Sequence, residues 1–273
     1  LFRLFLTACS VESEATQIPG PAADDTQSPF AIIVWIIAQR SFGRGHLFRA
    51  QCADGAHAGV LVGAAVGSVA PVAQRLAAQG ADVAATTAEE FVQKSAAIRG
   101  NFMAKAAIEA ALLDYQLRKA KRSLANFLGA TQTKVASGVS VGIQPTIDDL
   151  LRVVAEYRAD GYVRIKLKIE PGLDIDRVRA VREAFGPDML LQVDANAAYT
   201  VDDAAHLAKL DEFNLLLIEQ PLPEEDIVGH VELSKRVGTP ICLDESITSY
   251  DVARGALDIN ACSIINVKPG RVG

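Results

Sequence analysis

Sulfur and imidazole are scarce in this chain of 273 residues. Its four cysteines, Cys9, Cys52, Cys242 and Cys262, lie far apart and form no CxxC pair. A disulfide scaffold or structural zinc site is therefore not expected, and a reducing compartment is the default. Cys242 and Cys262 read most simply as small core residues. The four histidines are scattered, with no HExxH. No basic run carries interleaved aromatics, and a net charge of −6 with a pI near 5.3 argues against nucleic acid as a partner. The apolar run PFAIIVWII, Pro29 to Ile37, is shorter than the roughly 20 residues a membrane span needs and reads as a buried segment. The opening LFRLFLTACS has too short an apolar part for a good export signal, so a cytoplasmic protein without membrane partners is expected.

What is present is apolar residue in quantity and a regular rhythm. Half the chain is hydrophobic, enough for a sizeable core in one large domain or two smaller ones. Residues 1–88 change character repeatedly, from a polar stretch near Ile18–Pro29 to an Ala/Gly/Val-rich run over Ala56–Ala85, and carry no clean motif. From Thr87 the pattern predicts two helices parted near Gly100, with Gly129 as the stop and Ala107, Ile108, Ala111, Leu112 and Tyr115 on one face. Strand and helix signals then alternate. Strands are expected at Gly138–Ile143, Arg164–Ile169, Leu190–Asn196, Leu215–Pro221, Ile241–Ser246 and Ser263–Pro269. Helices are expected near 146–160, 174–185, 201–210, 226–237 and 250–257. Six strands with helical crossovers at a repeat of about 25 residues predict a parallel sheet of (β/α)-barrel type.

Strand alternation locates the chemistry. In RIKLKI the apolar Ile165, Leu167 and Ile169 alternate with Lys166 and Lys168, so both lysines share a face. Asp194 shares a face with Gln192 and Asn196, Glu219 with Leu217, Asp244 with Cys242, and Lys268 with Asn266. Each of the ionisable residues stands near the C-terminal end of its strand, where barrel active sites lie. The steps from Lys168 through Asp194, Glu219 and Asp244 to Lys268 are 26, 25, 25 and 24 residues, one β/α unit each. Three carboxylates converging on one mouth repel one another, and a hard divalent cation with oxygen ligands relieves that; Mg²⁺ fits. A lysine beside that cation and a second lysine is expected to have a lowered pKa and to serve as a base, with Lys166 tuning Lys168.

These residues closely resemble the enolase superfamily, in its muconate-lactonizing-like branch, and within that the o-succinylbenzoate synthase / N-succinylamino acid racemase (N-acylamino acid racemase) family. The motifs are KLK at Lys166–Lys168, VDAN at Val193–Asn196, IEQPL at Ile218–Leu222, LDES at Leu243–Ser246 and NVKPGRVG at Asn266–Gly273, with RGNFMAKAAIEAALLD and GVSVGIQ in support. The resemblance implies an α/β fold: an enolase-type (β/α) barrel, written here for about six strands, with GVSVGI and SIINVKP at its open edges. Residues 89–130 would be the helical part of a capping domain and 131–273 a partial barrel, while residues 1–88 do not match the family cap and read as divergent or frame-shifted. It further implies Asp194, Glu219 and Asp244 as ligands of Mg²⁺ (or Mn²⁺), Lys168 and Lys268 as the acid/base pair, and Ser140 and Asn196 as substrate contacts. The shared step would be removal of the proton α to a carboxylate of a small substrate. The leading expectation is o-succinylbenzoate synthase, a lyase of menaquinone biosynthesis. The alternatives are an N-acylamino acid racemase on the same site and, from a different class, an inactive fragment. A homo-oligomer is compatible with the complete protein.

Overall fold

The computed structural model describes residues 48–51, 57–60, 72, 74–75, 86–131 and 137–272. Cys9, Cys52, the opening ten residues, the Ile18–Pro29 stretch and Pro29–Ile37 lie outside them. The chain splits into two compact units, Leu1–Thr133 with Pro269–Gly273, and Lys134–Lys268.

The first unit contains an antiparallel pair, β1 (Phe48–Gln51) and β2 (His57–Val60), with Phe48 opposite Val60. Helix α1 (Ala88–Ser95) opens on a reciprocal cap: the Thr87 hydroxyl accepts from the Glu90 N–H, and the Glu90 carboxylate from the Thr87 N–H. Helix α2 (Phe102–Lys119) follows Gly100 and Asn101, both in the left-handed region. The single helix expected up to Gly129 is in fact two. After Lys119 the chain turns at Lys121, whose φ is 49°, and α3 (Leu124–Leu128) restarts on the Ser123 hydroxyl, which accepts from the Asn126 N–H at 3.1 Å. A serine that can cap offers the backbone a partner other than the next helical turn. Gly129, with φ 71°, ends α3 as expected. Ile108 and Leu112 pack on a small core of Val72, Phe91, Ile98 and Ala104, while Ala107, Ala111 and Tyr115 on the same face are half-buried.

The second unit is a six-stranded parallel sheet in sequential order: β3 (Gly138–Val141), β4 (Arg164–Lys168), β5 (Leu190–Asp194), β6 (Ile218–Glu219), β7 (Ile241–Leu243) and β8 (Ile264–Ile265). Among the described residues β3 and β8 pair on one side only, so the sheet is an open arc of a (β/α) barrel. The crossovers carry α4 (Ile147–Ala159), α5 (Ile175–Phe185), the single α-turn α6 (Ala204–Leu207), α7 (Ile227–Ser234) and α8 (Tyr250–Asp258). Side chains of Thr146, Asp174, Asp226 and Ser249 cap the four longer helices. The helix expected over 201–210 is instead α6 between two 3₁₀ segments, Val201–Asp203 and Ala208–Phe213. The last three strands are shorter than expected. Gln220 turns left-handed straight after Glu219, and Pro269, read as a strand end, opens α9 (Pro269–Val272), which packs on α2 within the first unit.

The core lies on the helix-facing side of the sheet. Ile165, Leu167, Leu191, Val193, Ile218 and Leu243 are buried there against Val154, Val178, Leu207 and Leu233. Cys242 and Cys262 are free and buried, in line with their reading as small core residues. His230, also buried, sits between its own helix and the loop after β6, with Nδ1 2.7 Å from the Asp226 carbonyl and Nε2 3.4 Å from the Leu222 N–H. Donating from one nitrogen and accepting at the other requires a neutral ring, and burial lowers its pKa accordingly.

Asp174 joins the loops that leave β4 and β5. Its carboxylate caps α5 and accepts from Tyr199 Oη and His206 Nε2, both at 2.8 Å. Burial raises its pKa, but the bonds from His206, Ile175 N–H and Tyr199 outweigh that and leave it below the usual carboxylate value. A lowered folded pKa means stability that is fully present above the unfolded value near pH 4 and is lost as pH falls through the folded one. Asp174→Asn should therefore destabilise the unit by about 1–3 kcal/mol at pH 7. The gap from the parent chain, measured by urea unfolding, should narrow as the pH is taken below about 4.

Candidate active site

On β4 the apolar Ile165 and Leu167 face the helices, so Lys166 and Lys168 project from the other side of the sheet. The parallel register sets Ser140 beside Lys166, Lys166 beside Gln192, Lys168 beside Asp194, Asp194 beside Glu219, and Glu219 beside Cys242. Charge thus accumulates at the C-terminal ends of neighbouring strands. Asp194, Glu219 and Asp244 are 1 %, 2 % and 0 % exposed. Carboxylates so deeply buried need compensating charge.

Three lysines supply it. The Lys166 ammonium bridges two strands: it lies 2.9 Å from Asp194 Oδ2 and 2.9 Å from each Glu219 oxygen. Lys168 Nζ is 2.7 Å from Asp194 Oδ2 and also donates to Asn196 Oδ1. Lys268, on the chain leaving β8, pairs with Asp244. Asn196 has φ 44°; its N–H donates to Asp194 Oδ1 at 3.2 Å and its Nδ2 to Glu245 Oε1 at 2.9 Å. Asn266 donates to Glu219 Oε1 at 2.9 Å.

Placement along the strands agrees with the alternation argument, and one arrangement differs from it. The sequence places Asp194, Glu219 and Asp244 around one point as ligands. In the structure each carboxylate meets an ammonium, and among the described residues no three His, Cys, Asp or Glu side chains stand close enough together to hold a metal ion. A buried anion takes the nearest available cation: for Asp194 and Asp244 a lysine from the adjoining strand, for Glu219 Lys166 two strands away. The same pairing sets the pKa of Lys166. Burial lowers it, but Asp194 and Glu219 together raise it above the ordinary lysine value. Burial pushes Asp194 up, yet Lys166 and Lys168 bring it below the usual range. Glu219 stays above its usual value: burial and the Asp194 charge outweigh Lys166 and Asn266.

Three residues around this cluster had no role in the sequence reading. Asn266 and Glu245 stood within quoted motifs, but their partners lie on other strands and leave no local trace. Gln220 points the wrong way by strand alternation, and only the left-handed turn at its own position brings its side chain to the loop after β7.

A sequential parallel sheet with acids and lysines converging on its C-terminal edge defines a (β/α)-barrel enzyme. The enolase C-terminal domain-like family matches residues 149–273. The chain is 58 % identical over 187 residues to an N-succinylamino acid racemase from Amycolatopsis sp., covering 68 % of this chain and 51 % of that protein. It is 55 % identical over 184 residues to an o-succinylbenzoate synthase from Geobacillus kaustophilus, covering 67 % and 49 %. A crystal structure of an enolase-superfamily member from Listeria innocua Clip11262 superposes with a TM-score of 0.71 at 36 % identity, covering 83 % of this chain and 64 % of that one. A racemase from Streptomyces coelicolor A3(2), solved with bound magnesium, gives 0.68 at 26 %, covering 83 % and 68 %. The chain belongs to the o-succinylbenzoate synthase / N-succinylamino acid racemase family of the enolase superfamily. It spans about half the length of the curated relatives it matches.

Because Lys166 bridges Asp194 and Glu219, Lys166→Met leaves buried Glu219 without an ammonium and Asp194 with Lys168 alone. The expected cost is about 3–5 kcal/mol at pH 7, read from denaturant midpoints. It should shrink as the pH falls below the ordinary carboxylate range and on through the lowered value of Asp194, as both carboxylates take up protons. A loss that does not change with pH would show that packing, not charge, is the role of this side chain.

Proposed function

We propose that this chain carries the site of a Mg²⁺-dependent enzyme that removes the proton α to a carboxylate, with o-succinylbenzoate synthesis, a dehydration in menaquinone biosynthesis, as its reaction. The observation that carries this reading is three buried carboxylates at successive strand ends, with Lys168 at one end of the series and Lys268 at the other. Their donor chemistry fits the metal: hard, buried oxygens on adjoining strands, each needing positive charge. Asp194, Glu219 and Asp244, which pair with lysines in this structure, would exchange those partners to hold it. When bound, Mg²⁺ stabilises the negative charge that develops on the substrate carboxylate as the α-proton leaves.

The remaining chemistry belongs to side chains of this chain. Lys168, steered by Asp194 and Asn196, takes the α-proton and then returns one to the departing hydroxide. Lys268 offers its charge to the anion. Lys166, between Asp194 and Glu219, tunes the charge around Lys168. Ser140 and Asn196, at the rim beside these lysines, contact the small carboxylate substrate. A cytoplasmic enzyme fits this reading, and among the described residues no helix is long and apolar enough to cross a membrane.

A second reading is racemisation of N-succinylamino acids on the same site, favoured by the Amycolatopsis match. Lys168 and Lys268 would then exchange base and acid roles across the α-carbon. Two assays separate the readings: formation of o-succinylbenzoate, and exchange of the α-proton of each N-succinylamino acid enantiomer with deuterated solvent. Lys168→Ala should lower both activities by at least about 10²-fold, and Lys268→Ala should abolish racemisation. Racemisation at the parent rate in Lys268→Ala would remove the two-base scheme. Absence of both activities from a chain that binds Mg²⁺ would assign it as an inactive fragment.

A further inference from the structure

We infer that Gln220 is the positioning residue for Asp244: its buried carboxamide holds the main chain that carries this carboxylate against the end of β6. The inference rests on the reading of Asp244 as a metal ligand. Gln220 directly follows Glu219 and is 0 % exposed. Its Oε1 accepts from the Asp244 N–H at 3.0 Å and the Ser246 N–H at 3.1 Å. Its Nε2 donates to the Leu222 carbonyl at 3.0 Å and to Ser246 Oγ at 2.8 Å. A carboxamide has two acceptor lone pairs and two N–H donors, so all four are used. The two main-chain donors also fix its orientation, because a flipped amide would set N–H against N–H.

The backbone of Gln220 is part of the same device. Its N–H donates to the Cys242 carbonyl and its own carbonyl accepts from the Ala197 N–H, both at 2.8 Å. One residue therefore ties together the ends of β5, β6 and β7, the three strands that lead to Asp194, Glu219 and Asp244. Its φ of 39° lies in the left-handed region, which side-chain-bearing residues rarely adopt. That turn rotates the side chain out of strand alternation and across to the Asp244–Ser246 backbone. No other side-chain type of this length both accepts twice and donates twice. Glutamate keeps the acceptors but sets an anion against the Leu222 carbonyl, and methionine keeps only the volume.

The test uses the 273-residue chain, Mn²⁺ titration followed by electron paramagnetic resonance, and amide hydrogen exchange followed by NMR. Ser234→Ala is the comparator: it removes hydrogen bonds to the Val231 and Asn260 carbonyls at α7, away from the site. In Gln220→Met the Asp244 and Ser246 amides should exchange at least about tenfold faster than in Ser234→Ala, and Mn²⁺ should bind about tenfold more weakly. Gln220→Glu, which retains an acceptor for both amides, should recover much of their protection, and it decides the question if the methionine variant does not fold. Parent-like exchange at the two amides, or unchanged Mn²⁺ affinity in Gln220→Met, overturns the inference. Failure of the metal reading looks different. There the parent chain does not bind Mn²⁺, or Asp194→Asn binds it as well as the parent does, and exchange at the two amides still decides whether Gln220 holds the Asp244 backbone.

Discussion

Burial of three carboxylates at neighbouring strand ends is the constraint on which the second unit depends. Asp194, Glu219 and Asp244 are withdrawn from water, and each is matched to a lysine on another strand. Pairs of this kind do little for net stability, since desolvation consumes most of the attraction. What they do is set register. A one-residue slip of β4 would turn Lys166 and Lys168 toward the helices and leave Asp194 and Glu219 unpaired. The apolar face enforces the same register independently, because Ile165 and Leu167 would then leave the core. Two demands of different physical origin thus select one alignment.

Where the strands end, the backbone departs from regular geometry. Asn196, Ala197 and Gln220 all have positive φ, and all follow a buried carboxylate by one to three residues. Such residues persist when surrounding contacts over-determine them. Asn196 is held by Asp194, Lys168 and Glu245; Gln220 by hydrogen bonds to three separate segments. The strain lies at the end of the sheet where barrel chemistry is done, while Asp174 and His230 lock the neighbouring loops from outside the cluster.

Much of this was legible from the text of the chain. Period-two alternation in RIKLKI reported which face each lysine takes, and near-equal spacing reported that each charged residue belongs to its own β/α unit. Cys242 and Cys262, read as small core residues, are buried thiols. Element ends were less legible. The break at Ala120–Ser123 depends on a cap that competes with the helix, and the short β6 and β8 depend on a left-handed Gln220 and on Pro269 opening a helix. Propensity over a window averages such single-residue decisions away.

The sequence by itself determined the parallel β/α order, the inward face of each strand and the set of acids and lysines, because these follow from local periodicity and from motif composition. The tertiary structure alone decided the pairings: Lys166 shared between Asp194 and Glu219, Lys268 on Asp244, Asn266 on Glu219, and Gln220 on the backbone of Asp244 and Ser246. Each partner lies roughly one or two β/α units away along the chain. Only packing of the strands brings them within hydrogen-bond reach, and only burial makes leaving them unpaired too costly.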